Sequence, residues 1–409
     1  MESKSVAQFI ALRPPVKAMI YLFWIYVFAA SFTGFFVQLF VYGKFHSIAT
    51  NVIAMGVNFT GLMIGFCVVG WLYARLRINI KLGYVGSFIL MATGFLFLYG
   101  DVSYRDAMLF MFVNGMGNGI YWLTIYTFEL TETKNNEREF YSSMLSFGGL
   151  VVGLIAPLLG TLLLYLSEFI FHQTFTLLFL VAPIFYLFGL PFIANISDYR
   201  PHPIRMRDVR HFFTDRRNQF LQVYMAGDSL SFACEASLIP VASLLLLKDA
   251  KNVGIYNSIF AVISALMLVF LTRFRNEGNR LSFLALTTLL LSFFAILPAV
   301  SFTLIVFVIF TLGSVIVKPL YRVSSHVIDL ETMETLAHAD SDFYPTMILR
   351  DLSLWVWRMV GCSLLLIVTM YVHGDIETIR LGFLLMVAAP MLTLLGAFLL
   401  YRTSHARSK

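Results

Sequence analysis

Apolar runs of about 20 residues, separated by short polar breaks, make up almost the whole chain. They fall at roughly 17–42, 50–74, 82–100, 105–128, 141–166 and 173–194, then resume at 219–247, 253–272, 281–299, 302–327, 344–372 and 379–401. A helix rising 1.5 Å per residue crosses the hydrocarbon of a bilayer in such a length. A membrane barrel would show alternating segments of about ten residues instead, and none are evident. One break differs from the others. From Ile196 to Asn218 the chain reads ISDYRPHPIRMRDVRHFFTDRRN, with Arg200, Arg205, Arg207, Arg210, Arg216 and Arg217 set against Asp198, Asp208 and Asp215. The pattern predicts an all-α integral membrane protein of 12 transmembrane helices. Its expected domains are a six-helix bundle at 1–195, a basic linker at 196–218 and a second bundle at 219–409.

Composition narrows the picture in one direction. The chain is 59% hydrophobic and 13% charged, with mean hydropathy +0.81. A soluble domain carries about a quarter charged residues, so there is too little polar surface here to cover a water-soluble globule. The net charge of +6 has a topological meaning rather than a nucleic-acid one. With the N-terminus inside, one side collects Lys4, Arg13, Lys17, Arg75, Arg77, Lys81, Lys134, Arg138, the six linker arginines, Arg273, Arg275, Arg280, Arg402, Arg407 and Lys409. The other side holds Lys44, Arg105, Lys248, Lys251 and Arg380, and 20 against five predicts that both termini face the cytoplasm. The N-terminus shows no short apolar core with a small-residue cleavage site, so no cleaved signal is expected. Cys67, Cys234 and Cys362 lie inside apolar runs without metal-type spacing.

The two halves share more than length. Tyr121 precedes Glu129-Leu130-Thr131 by eight positions, and Tyr321 precedes Asp329-Leu330-Glu331 by the same eight. Each half then passes an acidic loop and re-enters the membrane with a Phe-Tyr pair, Phe140-Tyr141 and Phe343-Tyr344. Repeats at equivalent places predict pseudo-symmetric bundles, a construction that many secondary transporters use.

Two motifs carry a resemblance. Gly70-Trp71-Leu72-Tyr73-Ala74-Arg75, after the second run, keeps the Gly, Leu and Arg of a loop pattern in which Ala74 replaces an acid and Arg77 a glycine. In the fifth run Gly149, Gly153, Pro157 and Gly160 form a Gly-Pro-rich helix pattern, with Ala156 in place of a further glycine. With the topology, these make the chain resemble the major facilitator superfamily over essentially its whole length. The resemblance implies alternating access between two bundles and a central cavity lined by helices 4, 7 and 10. It also gives Gly70 and Arg75 a gating role, and compares the fifth helix with that of proton-driven antiporters.

Chemistry then concentrates in charges that sit inside apolar runs, where each costs several kcal/mol and marks a cavity or a partner. Asp228 and Glu235 are seven residues apart and share a helix face. They are the candidate proton-coupling carboxylates, against the plainer reading of a static ion pair. Lys318, Arg322 and Arg358 are the candidate partners or substrate ligands, with Asp228 placed to reach Lys318 or Arg322 and Glu235 at the depth of Arg358. The excess of cations suits an anionic substrate. The first half supplies Gln38, Asn114, Asn118, Tyr121 and Trp122 as further cavity candidates. Glu129 facing Arg138, and Asp329 facing Arg350, are gating candidates or ordinary loop charges. Gly115, Gly117 and Gly119 lie in a spanning run, where small residues let helix backbones approach; Gly149, Gly153 and Gly160 read the same way, with Pro157 bending its helix.

No metal cluster, nucleophile motif or phosphate loop is evident in the sequence, so neither an enzyme nor a cofactor is expected. The reading is a monomeric, multi-pass protein of a bacterial-type inner or cell membrane: a secondary active transporter, proton-coupled, that moves a small solute by alternating access. The alternatives are a lipid or lysolipid flippase of the same fold, and a non-transporting sensor or scaffold.

Overall fold

The computed structural model describes the backbone of residues 9–133, 135–201, 204, 212–214, 216–271, 280–340 and 343–407. Within these, the side chains of 32–33, 135–139, 150, 216–217, 268–271, 280, 322–324, 326–340, 343 and 403–407 are not described. The helices are α1 (Pro14–Phe45), α2 (Ile48–Leu76), α3 (Lys81–Leu98), α4 (Tyr104–Glu132), α5 (Asn135–Phe171) and α6 (Thr176–Leu187). A 3₁₀ stretch, Leu190–Asn195, follows α6. Then come α7 (Arg216–Leu247), α8 (Ala250–Leu271), α9 (Arg280–Val300), α10 (Leu304–Asp340), α11 (Phe343–Tyr371) and α12 (Asp375–Arg407). Among the described residues, eleven spans are long and apolar enough to cross a membrane. The other helix, α4, has 29 residues but buries Asn114, Thr124 and Thr127 inside the protein. Its threonines solve the problem locally: the Thr124 and Thr127 hydroxyls donate to the carbonyls of Ile120 and Leu123, each at 2.7 Å. The fold is all-α, as the hydropathy pattern predicts.

The chain forms two compact units. One contains Met1–Val37 and Thr60–Ile204, the other Gln38–Phe59 and Arg205–Lys409. In the first unit α2 and α4 are interlocked through glycines. A Cβ on Gly61 would meet the Phe112 carbonyl, one on Gly65 the Met116 carbonyl, and one on Gly119 the Leu62 carbonyl. Gly117 turns instead to α3, against Met91 and the Ser87 carbonyl. Ile64–Val68 winds as a π-helix at this crossing, with Gly65, Phe66 and Cys67 buried.

The loop glycines and arginines settle the turn after α2. Arg77 caps that helix at φ 50°, ψ 39°, the left-handed region that favours glycine. This is the position where the resemblance places a glycine, and a side chain there costs about 1–2 kcal/mol. Arg77→Gly is therefore expected to stabilise the folded protein by up to about 1 kcal/mol after the extra unfolded-chain entropy of glycine is offset, read as a raised melting temperature in detergent. An unchanged or lower midpoint contradicts it. Beyond the cap, the Ile80 amide donates to the Tyr199 carbonyl at 2.9 Å, and Asn79 Oδ1 accepts from the Tyr199 amide at 3.2 Å. These bonds tie the start of the 196–218 segment to the α2–α3 loop; most of its basic residues lie outside the described ones.

In the fifth helix the structure corrects one expectation. Among the described residues a Cβ built on Gly149 or Gly153 meets nothing within 4 Å, so these glycines close no contact with a described helix. Gly148 does: the Trp24 indole fills the space a Cβ would take, and Trp24 Nε1 donates to the Met144 carbonyl at 2.9 Å. Gly160 likewise lies against Phe36. The spacing motif caught Gly160 and missed Gly148, because a four-residue repeat does not say which stripe meets a neighbour.

Candidate functional site

In the second unit, Asp228, Phe232 and Glu235 follow i, i+4, i+7 spacing and so share one face of α7. Asp228 and Phe232 are exposed, Glu235 half-buried. Glu235 Oε2 lies 2.8 Å from Lys318 Nζ of α10, with side-chain exposures of 22% and 26%. Lys318 thus pairs with Glu235, where the depth argument offered it to Asp228 as one of two partners; about two turns of helix separate the two acids. The Arg322 side chain lies outside the described residues.

Arg358 of α11 sits between two rings. Its Cζ is 5.2 Å from the Phe232 ring centre and 5.5 Å from that of Phe59 on α2. Cation–π contacts of this kind hold a guanidinium without neutralising it. Among the described residues Arg358 has no ion pair, and its Nε is buried without a hydrogen-bond partner. Asp351, seven residues earlier on the same helix face and 7% exposed, is within electrostatic reach of both Arg358 and Arg350. Its Oδ2 has no partner either. Asp351 was not among the candidates read from the sequence; its i, i+7 relation to Arg358 was the available signal.

The remaining candidates are placed as follows. Gln38 is buried, with Nε2 2.7 Å from Met55 Sδ and Oε1 unpartnered. In the first unit Tyr121 is fully buried and stacks on Tyr26 at 3.7 Å, so it packs the interior instead of facing a substrate. Tyr26 donates to Asn118 Oδ1 at 3.0 Å, and Asn118 Nδ2 donates to Asn114 Oδ1 at 3.0 Å. Trp122, half-buried, packs edge-on to both Tyr26 and Tyr121. Gly70 is buried, while Arg75 is exposed with its Cζ 5.0 Å over the Trp71 ring. Of the gating pairs, Glu129 and Arg350 are half-buried, and the side chains of Arg138 and Asp329 lie outside the described residues. Among the described residues no three metal-ligating side chains come together.

Asn51 was not anticipated. It is completely buried on α2, and its Nδ2 donates to the Ser237 carbonyl of α7 at 2.8 Å. Nearby, the Tyr42 hydroxyl donates to the Asp375 carboxylate. These bonds attach the Gln38–Phe59 hairpin to its unit and position Phe59 beside Arg358.

No family model matches the sequence, and no curated protein matches it. Solved structures do. The nucleoside transporter NupG superposes with TM-score 0.64 at 11% identity, covering 95% of this chain and 99% of that one. A bacterial homologue of the human lysosomal transporter Spinster, in an inward-facing and occupied conformation, superposes with TM-score 0.65 at 12% identity, over 96% and 98%. At such identities the likeness establishes the fold.

Proposed function

We propose that this chain, which has the major facilitator fold, is a secondary active transporter that carries an organic anion and couples its movement to protons. Arg358 is the observation that carries the reading. A guanidinium clamped by two phenyl rings, partly withdrawn from water and without an ion pair among the described residues, attracts an anion into the site. The exposed Phe232 ring adds apolar surface for the organic part of the substrate, with the buried Phe59 backing the guanidinium. Asp228 and Glu235 share the facing side of α7 and supply acids for coupling; Glu235 trades between a proton and Lys318. Both termini lie in the cytoplasm in this reading, and the working unit is a monomer in a cell membrane. Both structural neighbours are transporters, which supports the class, and neither supplies the substrate.

A thermal-stability screen of the purified protein tests it, with organic carboxylates, organic phosphates, nucleosides, lysophospholipids and lipophilic cations at two pH values. A ligand at 100 times its Kd stabilises the folded state by about 2.7 kcal/mol. Anions should raise the midpoint, and Arg358→Gln should weaken that response at least tenfold in concentration. Arg358→Lys should restore only part of it, since an ammonium lacks the planar fork. A shift confined to neutral or cationic ligands, or one indifferent to Arg358→Gln, counts against the anion reading. A response to lysophospholipids alone moves the assignment to lipid movement.

A further inference from the structure

Three residues of the internal repeat, Tyr121, Glu129 and Tyr141, converge in the first unit, and the transport site makes no use of them. Tyr121 of α4, Tyr84 of α3 and Tyr141 of α5 are each 0% exposed. Among the described residues none of their hydroxyls has a hydrogen-bond partner. The Tyr84 and Tyr121 rings pack edge-on at 5.7 Å, and all three phenols are within electrostatic reach of one another. Glu129 is within the same reach of Tyr84 and Tyr141. Besides Glu129, the titratable side chains around this cluster among the described residues are Tyr26 of α1, Tyr126 of α4 and Tyr186 of α6. At the far end, Tyr26 stacks on Tyr121 and leads through Asn118 to Asn114, whose Nδ2 is again buried and unpartnered.

Leaving one hydroxyl unpaired in an apolar interior costs about 1–3 kcal/mol on protein scales. Three at one place are too many to leave dry, and ordered water is the usual partner of such groups. We infer that Tyr84, Tyr121 and Tyr141 enclose a buried water site joined to Glu129, forming a proton-conducting track inside the first unit. Phenol hydroxyls and water each donate and accept, so they hand a proton along in hydrogen-bonded sequence. The track follows α4 from Glu129 toward Asn114, about 22 Å at 1.5 Å per residue. It is separate from Glu235 and Lys318, which belong to the other unit.

Two measurements test this on the full-length protein. Radiolytic hydroxyl labelling with mass spectrometry reads bound water directly. Tyr84, Tyr121 and Tyr141 should label within a few-fold of the exposed Tyr371, despite their burial. Labelling as slow as that of the buried Phe95 and Phe110 overturns the water site. In pyranine-loaded proteoliposomes, with a potassium diffusion potential driving protons inward, Tyr84→Phe and Tyr121→Phe should slow acidification at least tenfold. Acidification at the wild-type rate in both variants overturns the track. The sign of the stability change adds a check: loss of a water-bonded hydroxyl lowers the melting midpoint, whereas removal of a dry one raises it. A raised midpoint in all three Tyr→Phe variants contradicts the proposal.

Discussion

Gly119→Leu is expected to abolish recovery of folded protein. The added side chain would begin where the Leu62 carbonyl already lies, and the Phe66 amide nitrogen would be 2.8 Å from its Cβ. Overpacking a core by a few methylenes costs about 1–3 kcal/mol when side chains can shift. Here the obstacle is backbone, and backbone in a membrane helix moves only by giving up its internal hydrogen bonds. The same crossing contains Gly61 and Gly65, so α2 cannot slide away without meeting α4 again. A monodisperse size-exclusion peak from Gly119→Leu, with a midpoint within a few degrees of wild type, contradicts this. Gly149→Leu is the matched control. Its Cβ meets nothing within 4 Å, so the protein should fold normally, and any defect it shows should be in transport.

That contrast shows what the sequence can and cannot say. The helices were legible because hydrophobic periodicity is a local property, and the observed boundaries differ from the expected ones by a few residues except where α5, α10 and α12 extend into polar sequence and where α6 ends at Leu187, its last expected turns forming the 3₁₀ stretch Leu190–Asn195. Which glycine meets which backbone is not local. Gly117 and Gly119 were recognised as close-approach residues, but their separate partners on α3 and α2 depend on the twist of helices distant in sequence. The same holds for the site. Glu235, Lys318 and Arg358 stood out because ionisable groups are rare in apolar runs. The partner of Lys318 was misplaced because counting residues from a helix end gives depth but not azimuth; the Arg322 alternative for Asp228 falls on a side chain outside the described residues. Asn51, Tyr84 and Tyr26 escaped notice altogether: neutral polar residues are common in such helices, and only the fold reveals that their partners are few. The Gln38–Phe59 hairpin, grouped with the second unit, is written in no hydropathy pattern.

The second large effect concerns the Glu235–Lys318 pair, where a static bridge and a coupling device predict different cycles. Removing one partner of a fully buried pair costs about 3–5 kcal/mol, because the other charge is stranded. With exposures of 22% and 26%, water screens part of that, and about 1–2 kcal/mol is expected for Glu235→Gln or Lys318→Gln. The double variant Glu235→Gln/Lys318→Gln leaves no stranded charge, so its stability should return most of the way to wild type. Transport should not return with it. A carboxylate that exchanges a proton for an ammonium during each cycle is absent from both Glu235→Gln and the double variant. Both should therefore lose proton-driven accumulation at least tenfold, while exchange of substrate across the membrane without net proton movement persists. A static bridge gives the opposite result, with accumulation recovering alongside stability in the double variant. The double variant thus separates the two roles, since its folded state is near normal while its one titratable acid on this pair is gone. Full accumulation there would transfer the coupling role to Asp228, the other acid on the same face of α7.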